Sequence, residues 1–66
     1  MQITVNGEIK QFPEGSSVAD LLQALGMTER RVAVEVNREI IPRSLHRHHP
    51  LQAGDRIELV QAIGGG

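Results

Sequence analysis

One short amphipathic stretch limits what this chain can become. Val18, Leu21, Leu22 and Leu25 fall at i, i+3, i+4 and i+7, the stripe of a helix with one apolar side. Ser16 and Ser17 offer N-cap hydroxyls, Asp20 follows at the capping-box distance from Ser17, and Gly26 stands where a left-handed C′ glycine stops a helix. This is the main helix of a 66-residue chain, so its apolar side has to be covered by strands. Phe12 is the only aromatic ring, which leaves aliphatic side chains to make the core. A chain of this length supports one domain, with little interior left for a pocket.

The strands are legible by alternation. Ile3 and Val5 alternate with Gln2 and Thr4, and Asn6-Gly7 then predicts a two-residue type I′ turn into a second strand from Glu8 to Phe12. Ile9 and Phe12 have opposite parity, which calls for a bulge or an early strand end near Gln11. Val32, Val34 and Val36 place three valines on one face of a strand expected to lie centrally. Asn37-Arg38 turn the chain into Glu39, Ile40 and Ile41, and Pro42 ends that strand. The stretch from Arg43 to His49 reads as irregular with a single helical turn, anchored by Leu45. After the Ala53-Gly54-Asp55 turn, Arg56 to Gln61 form the last strand, with Ile57 and Leu59 inward and Val60 on the opposite face. The sum is a two-layer α+β domain: a mixed sheet of four to five strands with the helix packed on one face, the first and last strands in parallel.

Charge and cysteine usage exclude several functions. The formal net charge is −1 with both signs mixed along the chain, so no basic footprint for nucleic acid or an anionic membrane exists, and one Phe makes no base-stacking platform. Cysteine is absent, which excludes disulfides, thiolate metal sites and thiol chemistry within this sequence. Neither a signal peptide nor an apolar run of spanning length is present, and the expected location is the cytoplasm. No Ser, His and Asp constellation with a pocket is evident, so the chain is not expected to be an enzyme.

What remains is the end of the sequence, Gln61-Ala62-Ile63-Gly64-Gly65-Gly66. It divides the chain into a domain over residues 1–61 and a flexible tail over 62–66. Glycine lacks Cβ, so such a run threads a narrow channel and leaves the last carbonyl unshielded. Those properties suit a carboxylate that enters another protein's active site, attacks the α-phosphate of ATP and is then attacked as an acyl adenylate. Glycines at a chain end are also simply frayed in many proteins.

The joint pattern resembles the ubiquitin-like β-grasp proteins, and within them the ThiS-type sulfur carriers of thiamine biosynthesis. The resemblance runs the full length, from Val5-Asn6-Gly7 through "VEVNREIIPR" to "GDRIELVQAIGGG". It implies that Gly66 is adenylated by a ThiF-like adenylyltransferase using MgATP and converted to a thiocarboxylate by a sulfur-donor system. The sulfur then passes to a ThiG-like thiazole synthase. The chain itself would hold no cofactor, and Gly64 and Gly65 would enter the partner's active site. By the same resemblance the open sheet face docks partners, which makes Val60 and Ile63 the contact candidates. Three alternatives stay open at this point: a carrier for another pathway, such as the molybdopterin type; a ubiquitin-like protein modifier; and a simple interaction module with an inert tail, for which trimming the glycines would change nothing.

The remaining residues have plainer readings. His46, His48 and His49 in "LHRHHP" are spaced closely enough to suggest metal ligation, but no Cys or paired carboxylate completes a set, so an exposed polar loop is expected. Arg30, Arg31, Glu35, Glu39 and Glu58 read as solvent-facing charges, explained by solubility and cross-strand pairing.

Overall fold

The Asn6-Gly7 pair reverses the chain with φ of 49° and 83°, left-handed at both central positions as a type I′ turn requires. In this computed structural model, which describes residues 1–27 and 31–61, the turn joins strand β1 (Gln2–Val5) to β2 (Glu8–Gln11). Asn37 and Arg38 repeat the turn with φ of 53° and 69°, joining β3 (Val32–Val36) to β4 (Glu39–Ile41). Between the hairpins lies the helix α1 (Val18–Ala24), and β5 (Arg56–Gln61) comes last.

β5 inserts between the two hairpins, giving the order β2-β1-β5-β3-β4. It runs parallel to β1, with Thr4 opposite Arg56, and antiparallel to β3, with Val32 opposite Gln61 and Val36 opposite Ile57. β3 is thus an interior strand, as its valines suggest, while the middle of the sheet belongs to β5. The two-layer α+β expectation holds: a five-stranded mixed sheet carries α1 on one face. Ile3, Val34 and Ile57 of the sheet and Val18 and Leu21 of the helix are the largest fully buried side chains, so the core is aliphatic.

The parity conflict between Ile9 and Phe12 is resolved without a bulge. Pairing runs regularly from Val5 opposite Glu8 to Gln2 opposite Gln11, and the strand ends there. Phe12 packs against the core, its N–H donating to the Met1 carbonyl at 2.9 Å, while Ile9 turns outward and is 67% exposed.

α1 begins and ends as its sequence dictates. The Ser17 hydroxyl accepts from the Asp20 N–H at 3.1 Å, and the Asp20 carboxylate accepts from the Ser17 N–H at 2.9 Å, a complete capping box. Ser16 does not cap; its hydroxyl donates to the Pro13 carbonyl at 2.7 Å. At the other end Gly26 takes φ of 72°, with Gly26 N–H donating to Gln23 and Met27 N–H to Leu22, the two bonds of a Schellman motif. Replacing Ser17 with Ala removes a satisfied cap and is expected to cost about 1 kcal/mol. In a domain of this size that lowers the melting temperature by roughly 4–8 °C. Thermal unfolding followed by circular dichroism checks it, and an unchanged midpoint would show that the cap does not hold the helix start.

The stretch after Pro42 departs from expectation. Arg43–His48 form a 3₁₀ helix rather than an irregular loop with one turn. Leu45, expected as its anchor, is 49% exposed, and His46 is buried at 7% in its place. The cause is local chemistry: His46 Nε2 lies 3.0 Å from the Ile41 carbonyl oxygen, so the ring's polar atom is satisfied and its carbons can pack. Beyond it, Val18 N–H donates to the His49 carbonyl and Leu51 N–H to Ser16, pinning the start of α1 to the approach to β5.

Candidate functional site

β5 is the strand that leads toward the glycines, and asparagine side chains hold it at its start and past its middle. Asn6 accepts the Leu59 N–H through Oδ1 at 2.7 Å and donates Nδ2 to the Leu59 carbonyl at 3.3 Å. It thereby extends the parallel pairing after Thr4 N–H and Asn6 N–H have met the Asp55 and Ile57 carbonyls. Asn37 does the same at the start of the strand, accepting the Arg56 N–H at 3.0 Å and donating to Asp55 Oδ1 at 3.0 Å. The buried Asp55 carboxylate also accepts the Gln52 N–H at 2.8 Å, which fixes the turn into β5. Sequence reasoning assigns both asparagines to turns and misses this second role, because the groups they hold are distant in the chain.

The sheet face opposite α1 is uncovered. Val60 projects there as expected, 61% exposed and directly across from Ala33. The same face carries Ile9 from β2 and Ile40 from β4, the latter 71% exposed. Neither was singled out from the sequence for contact, although the parity of Ile9 against Phe12 contained the signal. Between them, Glu35 and Glu58 stand opposite each other on neighbouring strands. Cross-strand attraction therefore does not explain these acids: like charges in register repel, and no ion pair engages either among the described residues. The remaining site candidates, Ile63, Gly64, Gly65 and Gly66, lie outside the described residues, as do the rest of the 62–66 segment and Arg30.

The three histidines lie in different environments. His46 is buried, His48 exposed and His49 half-buried, and the described residues contain no cluster of three or more His, Cys, Asp or Glu arranged to hold a metal ion. Among the described residues no helix is long and apolar enough to cross a membrane. What the site offers is thus a mixed apolar and acidic sheet face beside a rigidly held last strand.

Comparison with known proteins decides the family. The ThiS family model matches residues 3–66. The chain belongs to the ThiS family. It is 38% identical over all 66 residues to the sulfur carrier protein ThiS of Escherichia coli, covering both chains completely. The crystal structure of the thiamine biosynthesis protein ThiS from Geobacter metallireducens superposes with a TM-score of 0.85 at 33% identity, covering the whole of each chain. The ubiquitin-like β-grasp expected from the sequence is therefore the fold of this ThiS-family chain. A thiazole synthase of Paramagnetospirillum magneticum is 42% identical over the same 66 residues, which span only 20% of that protein.

Proposed function

We propose that this protein carries sulfur, as a thiocarboxylate on Gly66, for formation of the thiazole ring of thiamine. The observation that supports it best is that the family match runs through the glycines to residue 66. The chemistry fits the composition: without cysteine, sulfur has no side-chain thiol to ride on, which leaves the carboxyl group. The Gly66 carboxylate attacks the α-phosphate of MgATP on a ThiF-like adenylyltransferase, and pyrophosphate leaves. Hydrosulfide supplied by the donor system then attacks the acyl carbon, AMP leaves, a proton is lost, and the thiocarboxylate forms. Magnesium and ATP belong to the partner's site. The chain is in this scheme a substrate rather than an enzyme.

A ThiG-like thiazole synthase is the proposed acceptor, supported by thiazole synthases that contain a segment resembling this chain over about a fifth of their length. Intact mass after incubation with the adenylyltransferase, MgATP and a sulfur donor should show exchange of one oxygen for sulfur. An unchanged mass would count against the carrier, and a ladder of lysine conjugates in cells would favour the protein-modifier alternative.

The open face is the proposed docking surface, with Val60 and Ile63 as contacts. Val60→Asp puts a charge into that face and is expected to weaken binding to the adenylyltransferase by roughly tenfold or more. Because Val60 faces solvent, stability should change by no more than about 1 kcal/mol. Isothermal titration against the partner, with a denaturation curve as control, distinguishes the two; equal affinity would remove Val60 from the interface.

A further inference from the structure

The 3₁₀ helix leaves a cleft that sulfur carriage does not use. Ala19 and Leu22 of α1 give its apolar side, and Arg43, His46 and Arg47 line the rest of a volume of about 220 Å³. It opens on the helical layer, on the other side of the sheet from Val60.

Two arginines line it, and neither has a counter-charge among the described residues. No ion pair or hydrogen bond engages the guanidinium of Arg43 or Arg47 among the described residues. The sequence from Ile40 to Gly54 contains no Asp or Glu, and the acid of α1, Asp20, is committed to the Ser17 N–H. His46 adds a third polar group of different character. Its Nε2 faces the Ile41 carbonyl oxygen, an acceptor only, so that nitrogen carries the proton. In the neutral ring Nδ1 is then an acceptor. It has no partner among the described residues, yet no buried side-chain nitrogen or oxygen there lacks one, so Nδ1 keeps contact with solvent.

A cleft lined by two arginines and one imidazole matches a specific anion. Monohydrogen phosphate has two negative charges, three oxygens to accept from the arginines and one O–H to donate to Nδ1. Sulfate has the charge and shape without the O–H, and a carboxylate has one charge and two oxygens. We propose that this cleft is a binding site for inorganic phosphate in its monohydrogen form. The site stands independently of whether Gly66 carries sulfur.

Nuclear magnetic resonance titration of the whole chain tests it, with potassium phosphate at pH 8 and ionic strength held constant with potassium chloride. The His46 ring signals and the Ala19 and Leu22 resonances are expected to shift saturably, with a dissociation constant on the order of millimolar, while His48 stays still. In the R43Q/R47Q variant, both exposed positions, affinity should fall at least roughly tenfold with amide dispersion retained. Sulfate should bind the unmodified chain roughly threefold or more weakly than phosphate, because it leaves Nδ1 without a donor. Shifts that do not saturate, that survive in the double variant, or that sulfate reproduces at equal concentration would overturn the proposal.

Discussion

Deleting Gly66 is expected to abolish thiocarboxylate formation while leaving the fold and its melting temperature unchanged. The shortened chain still ends in a carboxylate, on Gly65, so the chemistry is not removed but misplaced. One residue of extended chain spans about 3.3–3.6 Å. A reacting atom displaced by about 1 Å already costs roughly a hundredfold in rate, so a whole residue should take thiolation below detection. Among the described residues the last buried aliphatic side chain is Leu59, which is why stability should not follow. Intact mass after complete incubation, beside a thermal melt, gives both readings. Thiolation of the shortened chain at the original rate would place the reactive group elsewhere and overturn the carrier proposal.

Ile57→Ala should produce the opposite separation. Ile57 is fully buried in the middle strand, opposite Val5 on one side and Val36 on the other. Truncating a buried aliphatic side chain of this kind costs about 2–5 kcal/mol through lost burial and the cavity left behind. A 66-residue domain at roughly 0.05–0.15 kcal/mol per residue has only about 3–10 kcal/mol in total. A large fraction of the chain should therefore be unfolded near physiological temperature, with sulfur loading falling in step with the folded population. Urea denaturation and amide dispersion report the loss, and Ile57→Val should cost only about 0.5–1.5 kcal/mol. A midpoint for Ile57→Ala equal to that of the unmodified chain would contradict the packing described for β5.

Short-range features of the fold were readable in the sequence. The capping box, the C′ glycine and the Asn-Gly turn are local devices whose partners sit within five residues, and each is found where its residues predict it. Alternation also gave the faces of β1, β3 and β5, because one buried face enforces period two along every strand. What escaped were contacts between distant residues. Nothing near Asn6 in sequence says that its amide meets Leu59, and a ranking by polarity puts Leu45 inside and His46 outside. That ranking fails because it cannot see the Ile41 carbonyl, which satisfies the imidazole and lets it displace the leucine. The docking candidates were half legible: Val60 follows from parity, but Ile9 and Ile40 join its face only once the hairpins flank β5. The acids Glu35 and Glu58 needed the register, since their repulsion exists only when β3 and β5 are aligned.

Under the proposed function the chain is drawn on from the β5 side, and the asparagine clamps bear on that. A force drawing residue 61 outward along β5 acts parallel to the strand, whereas its bonds to β1 and β3 run across it. The bonds from Thr4 and Asn6 to Asp55 and Ile57, those of the Asn6 amide to Leu59, and the β3 ladder then share the load together rather than peeling apart in turn. Forced unfolding is governed by the unfolding barrier rather than by equilibrium stability, so the response to such a pull depends on these bonds breaking together. A pull applied at residue 61 is therefore expected to load the whole middle of the sheet at once.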